Sequence, residues 1–205
     1  MAEHKLFSLV GLEAPRFEAS ALMEDNSFNN EFQSADFLLG SYGVIFFYPL
    51  DFTYVCPTEL IALNNRLKEF QARNAKVIAI STDSHFTHLA WKRTPHKFGG
   101  IQNVKFPIVA DLTKEIADTY GVIVNRSIPL RGTFITDRDG IVRYQQVNDL
   151  AIGRNIDEIL RTLDAIQHHE NSGNVCPAGW TKGKESVEPN DKGVAEFLVK
   201  HAANL

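Results

Sequence analysis

Two residues of this sequence are suited to covalent chemistry above all others, Cys56 and Cys176. They stand far apart, and neither has a second cysteine within CxxC range. That spacing excludes a zinc ribbon or finger. In a reducing compartment, two such cysteines are read as reactive or inert thiols rather than as a structural bridge. Cys56 is followed by Pro57 and then by a helical pattern. Proline is favoured at the first position of a helix, where its missing N–H costs nothing. Cys56 is therefore expected at or next to a helix N-cap. The unpaired N–H groups and the positive end of the helix dipole favour the thiolate there, and the thiolate is the nucleophilic form. The competing reading is an inert buried cysteine packed as a small hydrophobe. The strand–loop–Cys–Pro–helix context favours the reactive thiol.

The elements around Cys56 follow from periodicity. Val44-Ile45-Phe46-Phe47-Tyr48, closed by Pro49, and Lys76-Val77-Ile78-Ala79-Ile80-Ser81 read as strands buried on both faces. Phe106–Ala110 is a shorter strand. Gly132–Thr136 and Ile141–Val147 flank Asp137-Arg138-Asp139-Gly140 and read as a hairpin. Leu60, Ile61, Leu63, Leu67 and Phe70 form one helical face. Shorter helices are expected over Ser84–Lys92 and Thr113–Tyr120, the latter closed by Gly121. Asn155 with Glu158 resembles a capping box, and Ile156, Ile159, Leu160, Leu163 and Ile166 form the face of the helix that follows. The order of elements predicts an α/β fold, a central mixed sheet flanked by helices. After His169 the character changes. We expect one domain over 1–169 and a C-terminal extension over 170–205, with a short helix at Gly193–His201.

Composition narrows the function classes. The 205 residues suffice for one domain with an extension, without disulfide staples. Hydrophobic residues make up 44% and charged residues 22%, values of an ordinary globular chain. Lys and Arg number 21 against 25 Asp and Glu, with no basic block, so nucleic acid is not an expected partner. No apolar run approaches a membrane span. Met1–Leu6 shows no basic region leading into an apolar stretch, so no secretory signal and a cytoplasmic location are expected. No phosphate loop or GxGxxG occurs, and His85, His88, His168 and His169 lack further ligands at suitable spacing. No cofactor and no metal are expected.

Two longer motifs surround the cysteines. Pro49-Leu50-Asp51-Phe52-Thr53-Tyr54-Val55-Cys56 carries the pattern Pro, three residues, Thr, two residues, Cys. It resembles the active-site signature of the peroxiredoxins. Asn174-Val175-Cys176-Pro177-Ala178-Gly179-Trp180 resembles the resolving-cysteine segment of their typical 2-Cys subgroup, which includes the alkyl hydroperoxide reductase C component. The likeness runs from Gly11 to Trp180 and more loosely beyond.

That resemblance implies a thioredoxin-like fold and a thiol peroxidase acting on hydrogen peroxide and organic hydroperoxides. Cys56 corresponds to the peroxidatic cysteine, which attacks peroxide and becomes a sulfenic acid. Cys176 corresponds to the resolving cysteine of the partner subunit, which closes an intersubunit disulfide. A dithiol reductant, thioredoxin or a dedicated flavoprotein reductase, then restores both thiols. Thr53 would offer its hydroxyl to thiolate and peroxide. Pro49 would shield the thiolate from water. Arg131, in its Arg-Gly context, corresponds to the arginine that stabilises negative charge on sulfur and oxygen. Glu59, one helical turn beyond Cys56, would orient an arginine, and Arg154 corresponds to a second arginine near the site. The family implies a homodimer that can join into a decamer ring. Trp180 is expected to anchor the tail by packing.

Two departures carry a further implication. Members of the family that over-oxidise easily share a Gly-Gly-Leu-Gly loop and a Tyr-Phe pair on the C-terminal helix. This chain reads Gly99-Gly100-Ile101-Gln102 and Phe197-Leu198. Resistance to over-oxidation is the expectation. The alternative functions are a general thiol–disulfide oxidoreductase, against which the absent CxxC speaks, and an oligomeric holdase chaperone.

Overall fold

The computed structural model describes residues 8–205, so the reading of Met1–Leu6 lies outside the described residues. The chain forms two compact units, divided after Arg154.

The first unit opens with a hairpin, β1 (Glu18–Leu22) and β2 (Phe28–Gln33), followed by a short helix α1 (Ser34–Leu38). Strand β3 (Tyr42–Phe47) leads through a loop to α2 (Cys56–Asn65) and α3 (Leu67–Gln71). Then come β4 (Ala75–Ser81), α4 (His85–Arg93), β5 (Ile108–Ala110) and α5 (Glu115–Thr119). A two-stranded ribbon of β6 (Ile123–Val124) and β7 (Ile128–Pro129) precedes the hairpin β8 (Arg131–Thr136) and β9 (Val142–Asn148). Seven strands make one sheet in the order β2-β1-β5-β4-β3-β8-β9. The pairs β3–β4 and β4–β5 are parallel, and the remaining pairs are antiparallel, so the sheet is mixed as expected.

The unbroken apolar runs account for the centre of this sheet. All six residues of β3 and all six of β8 are buried. Phe47, Tyr120 and Phe134 meet ring to ring in the core, with centroids 4.9 to 5.9 Å apart. The parallel βα units place the end of β3 and the start of α2 at one rim of the sheet, the usual place for a site in such folds.

Three local readings are corrected. The β1–β2 hairpin was not foreseen: β2 reads Phe-Asn-Asn-Glu-Phe-Gln, an edge strand of which only Phe32 is buried, so its polar residues hide the pattern. The expected single helix over Leu60–Phe70 breaks at Arg66, whose ψ is 7°. Asn64 turns its side chain away to accept from the Lys105 N–H, and asparagine is a weak helix former. In the second unit, Asn155 caps α6 (Ile156–Ser172) by accepting from Asp157 N at 2.9 Å, yet there is no capping box. Glu158 gives its carboxylate to Arg161 and Thr162 instead.

The loop at Gly99-Gly100 has a steric requirement. A Cβ on Gly100 would stand 1.8 Å from the Thr94 carbonyl oxygen, so only glycine fits there. Ile101 is fully buried and Gln102 is exposed.

In the second unit α6 runs past His169 to Ser172 and ends at Gly173, whose φ of 74° is left-handed. Val175 and Val187 pair through reciprocal N–H···O bonds of 2.9 Å. Between them the chain loops through Trp180, which is buried, stacks on His168 at 4.8 Å and donates to the Lys184 carbonyl. Its anchoring role is as expected. Helix α7 (Asp191–His201) begins two residues earlier than expected because Asn190 caps it.

Candidate active site

Cys56 is the first residue of α2 and is fully buried. Pro57 is the second residue of the helix, so the cysteine itself takes the position expected for proline. Val55 supplies the carbonyl that accepts from Thr58 N at 3.0 Å and Glu59 N at 3.3 Å, closing the first turn. The sulfur thus sits where the helix presents its positive end.

Arg131, the first residue of β8, is also buried and reaches the sulfur. Its Nη1 donates to Cys56 Sγ at 3.4 Å and to Glu59 Oε2 at 2.8 Å. Its Nε and Nη2 donate to the Leu150 carbonyl at 2.8 and 2.6 Å, which fixes the plane of the guanidinium. Glu59 also receives Arg154: the backbone N–H and Nε of Arg154 bond Oε1, both at 2.9 Å, and Nη2 bonds Oε2 at 3.0 Å. Arg154 Nη1 donates to Gly132 O and Thr133 Oγ1, and its guanidinium lies on the Phe46 ring. Burial pushes Arg154 down to about 10, against the opposing pull of Glu59. It remains a cation at neutral pH.

The charges in this cluster do not balance without the sulfur. Two buried guanidiniums face one buried carboxylate, and one positive charge is left over. Buried charge is costly unless compensated. A thiolate at Cys56 supplies the missing negative charge, and so would an oxyanion forming beside it.

The loop between β3 and α2 carries the other expected residues. Pro49 is buried directly after Tyr48. Thr53 is half-buried, and its hydroxyl donates to the Leu50 carbonyl at 2.8 Å. The expectation that Thr53 serves thiolate and peroxide together is therefore modified. With its proton engaged by Leu50, the oxygen is left to accept, and a peroxide O–H is a donor it suits.

Asp51 was missed. Its Oδ1 accepts from Tyr48 OH at 2.7 Å, its Oδ2 meets His88 Nδ1 at 2.7 Å, and its backbone N–H donates to Asp83 Oδ2 at 2.8 Å. Burial and the neighbouring Asp51 carboxylate push the Tyr48 phenol well up, so it stays a donor. The loop is thus tied into the sheet two residues before Thr53. An aspartate in the loop after β3, with a histidine on the inward face of α4, was the signal available. His88 serves this bond, and its Nε2 meets the Val109 carbonyl at 3.3 Å. Phe52, next to Asp51, has a φ of 53° and rests on Trp91 at 5.9 Å.

The structure therefore brings Cys56, Glu59, Arg131 and Arg154 into one cluster, with Pro49 and Thr53 on the adjoining loop. Cys176 belongs to the second unit. It follows Val175 in the loop after α6, and its thiol donates to the Ala165 carbonyl at 3.6 Å. Both cysteines are free thiols.

A model of the AhpC/TSA family matches residues 10–145, and a model of the C-terminal domain of 1-Cys peroxiredoxin matches residues 165–200. The chain belongs to the AhpC/TSA family of peroxiredoxins. The reduced 2-Cys peroxiredoxin of Plasmodium vivax superposes with a TM-score of 0.91 and 49% identity, covering 94% of this chain and 100% of that one. Alkyl hydroperoxide reductase C of Helicobacter pylori is 45% identical, covering 96% of this chain and 100% of that protein. Peroxiredoxin-2 of Bos taurus is 45% identical, with coverage of 94% and 96%. The mixed sheet with its helices is the thioredoxin-like fold of that family. Among the described residues, no helix is long and apolar enough to cross a membrane.

Proposed function

We propose that this chain is a thiol peroxidase in which Cys56 reduces peroxides and Cys176 of a partner subunit resolves the product. The observation that carries the reading is the unbalanced charge around Cys56, two buried guanidiniums against one carboxylate. In the first step the Cys56 thiolate attacks the terminal peroxide oxygen. The O–O bond breaks, the sulfur becomes a sulfenic acid, and the other oxygen takes up a proton from solvent and leaves as water or an alcohol. Arg131 donates to the sulfur and to the oxygen that gains charge. Glu59 holds Arg131 and Arg154 in place. Thr53 accepts the peroxide O–H, and Pro49 keeps bulk water off the sulfur.

In the second step Cys176 condenses with the sulfenic acid and water departs. A dithiol reductant, thioredoxin or a dedicated flavoprotein reductase, returns both cysteines to thiols by exchange. The substrates are hydrogen peroxide and organic hydroperoxides. The extension over 170–205 serves to carry the resolving cysteine, and the two free thiols suit a reducing cytoplasm.

A homodimer follows from the intersubunit step. Strand β9 stands at the edge of the sheet, where a second copy could pair. A ring of dimers, up to a decamer, is supported by exposed aromatics: Phe28 and Phe86 in mutual contact at 5.3 Å, and Phe52 beside the Cys56 loop.

The test is peroxide consumption coupled to a dithiol reductant. It should be present in the native chain and absent from Cys56→Ser. Turnover persisting in Cys56→Ser would overturn the assignment.

A further inference from the structure

The loop that carries Cys176 is seated on one face of α6. Arg161, Asp164, Ala165 and His168 recur at helical spacing along that face. Ala165 accepts from the Cys176 thiol, and the His168 ring stacks on Trp180. Lys182 approaches Asp164 at 3.7 Å. Arg161 makes the contact that closes the loop. Its Nη1 donates to the Trp180 carbonyl at 2.9 Å, while Nε and Nη2 grip both oxygens of Glu158 at 2.6 and 2.7 Å. The Cys176 loop is thus closed by the Val175–Val187 bridge and held at Trp180 by an arginine whose orientation is fixed from its own helix.

We propose that Arg161 is a positioning residue for the second half of the reaction: it holds the Cys176–Trp180 loop on α6 and places a positive charge beside the Cys176 thiol. The inference rests on the reading of Cys176 as the resolving cysteine. Resolution requires Cys176 as the thiolate. It attacks the Cys56 sulfenic sulfur, an S–S bond forms and the S–O bond breaks. The leaving hydroxide takes up a proton and departs as water. The Cys56 sulfur is reduced by this step and the Cys176 sulfur is oxidised, so no outside reagent is needed. Burial pushes the Cys176 thiol up, and Arg161 acts against that.

Around the loop, the His168 ring stacks on Trp180 and His169 Nδ1 meets the Asn174 carbonyl at 2.9 Å, and several of the charges are paired. From α6, Glu158 is held by Arg161, and Asp164 faces Lys182 of the loop. From the tail, Glu185 is tied to Lys200 and His201 of α7. Arg161, itself paired with Glu158, acts on the Cys176 thiol through its charge.

The experiment follows single-turnover oxidation of the full-length protein, native, Arg161→Gln, Arg161→Lys and Cys176→Ser. Formation of the Cys56 sulfenic acid serves as the control for a folded site and should keep its rate in both Arg161 variants. Disulfide formation should slow about two- to fivefold in Arg161→Gln, the scale of one half-exposed charge. Its pH midpoint should rise, and more Cys56 should end as sulfinic acid. Arg161→Lys should restore the pH midpoint while leaving the rate partly reduced, because lysine lacks the fork that grips Glu158 and Trp180 together. An unchanged second phase and an unchanged pH profile in Arg161→Gln, with Cys176→Ser forming no disulfide, would overturn the role of Arg161 alone. A disulfide phase that survives in Cys176→Ser would instead overturn the reading of Cys176.

Discussion

Arg131 offers one nitrogen, Nη1, to both Cys56 and Glu59, at 3.4 Å from the sulfur and 2.8 Å from the carboxylate oxygen. The carboxylate therefore sets where the donor stands relative to the sulfur. Because Arg154 grips the same carboxylate through three N–H groups, the two arginines are coupled through Glu59.

Glu59→Gln should accordingly disturb stability and chemistry together. Two buried guanidiniums would lose their counter-charge, and breaking a buried pair costs about 3–5 kcal/mol. Urea unfolding should show a lower midpoint, and peroxide reduction should slow at the same time. An unchanged midpoint would mean that the guanidiniums find other compensation.

Arg131→Ala should slow peroxide reduction by about 10²–10³, the scale set by loss of one donor to developing negative charge. Arg131→Lys should recover part of this, since an ammonium cannot bond Leu150 and Glu59 together as the planar fork does. Stopped-flow rates with hydrogen peroxide decide it, and a near-native rate in Arg131→Ala would place this arginine outside the chemistry.

Peroxide-treated native protein should run as a disulfide-linked dimer on a non-reducing gel, and Cys176→Ser should run as a monomer. An oxidised monomer with an internal Cys56–Cys176 bond would refute pairing between subunits. Oxidation should also unwind the first turn of α2, since a buried thiol at a helix start must become exposed to react.

Over-oxidation should be slow. The Gly-Gly-Leu-Gly and Tyr-Phe segments of the easily over-oxidised members read here Gly99-Gly100-Ile101-Gln102 and Phe197-Leu198. Gln102 and Leu198 are exposed, and the tyrosine hydroxyl and the freedom of the loop's final glycine are both missing. Mass spectrometry of Cys56 after turnover in rising peroxide provides the check. Substantial sulfinic acid at sub-millimolar peroxide would count against it.

The sheet centre was legible because β3, β4 and β8 are apolar without interruption, which leaves no choice of face to misjudge. The β1–β2 hairpin escaped because an edge strand buries little and can be built from Asn, Glu and Gln. At the site, Cys56 could be named from its position at a helix start and Glu59 from its place one turn further on, while Arg131 could be named through the resemblance of its Arg-Gly context to the family's. The sharing of Glu59 between Arg131 and Arg154 could not, since it depends on how β8 and the chain after β9 approach α2. Asp51 was invisible for a related reason. Its partners, Tyr48, Asp83 and His88, come from the residue after β3, the loop after β4 and helix α4, and only the folded sheet brings them together.

The segment around Cys56 is fastened at both ends. Asp51 is held by Tyr48, His88 and Asp83, and Glu59 is held by two arginines. Cys56 stands three residues from the second fastening. An extended chain spans at most ~3.3–3.6 Å per residue, so a fully melted first turn lets the cysteine travel only about 10 Å from the Glu59 backbone. The tether is short because Glu59 stays behind. What melts is a leash of fixed length, and the partner that the sulfur meets must come within its radius.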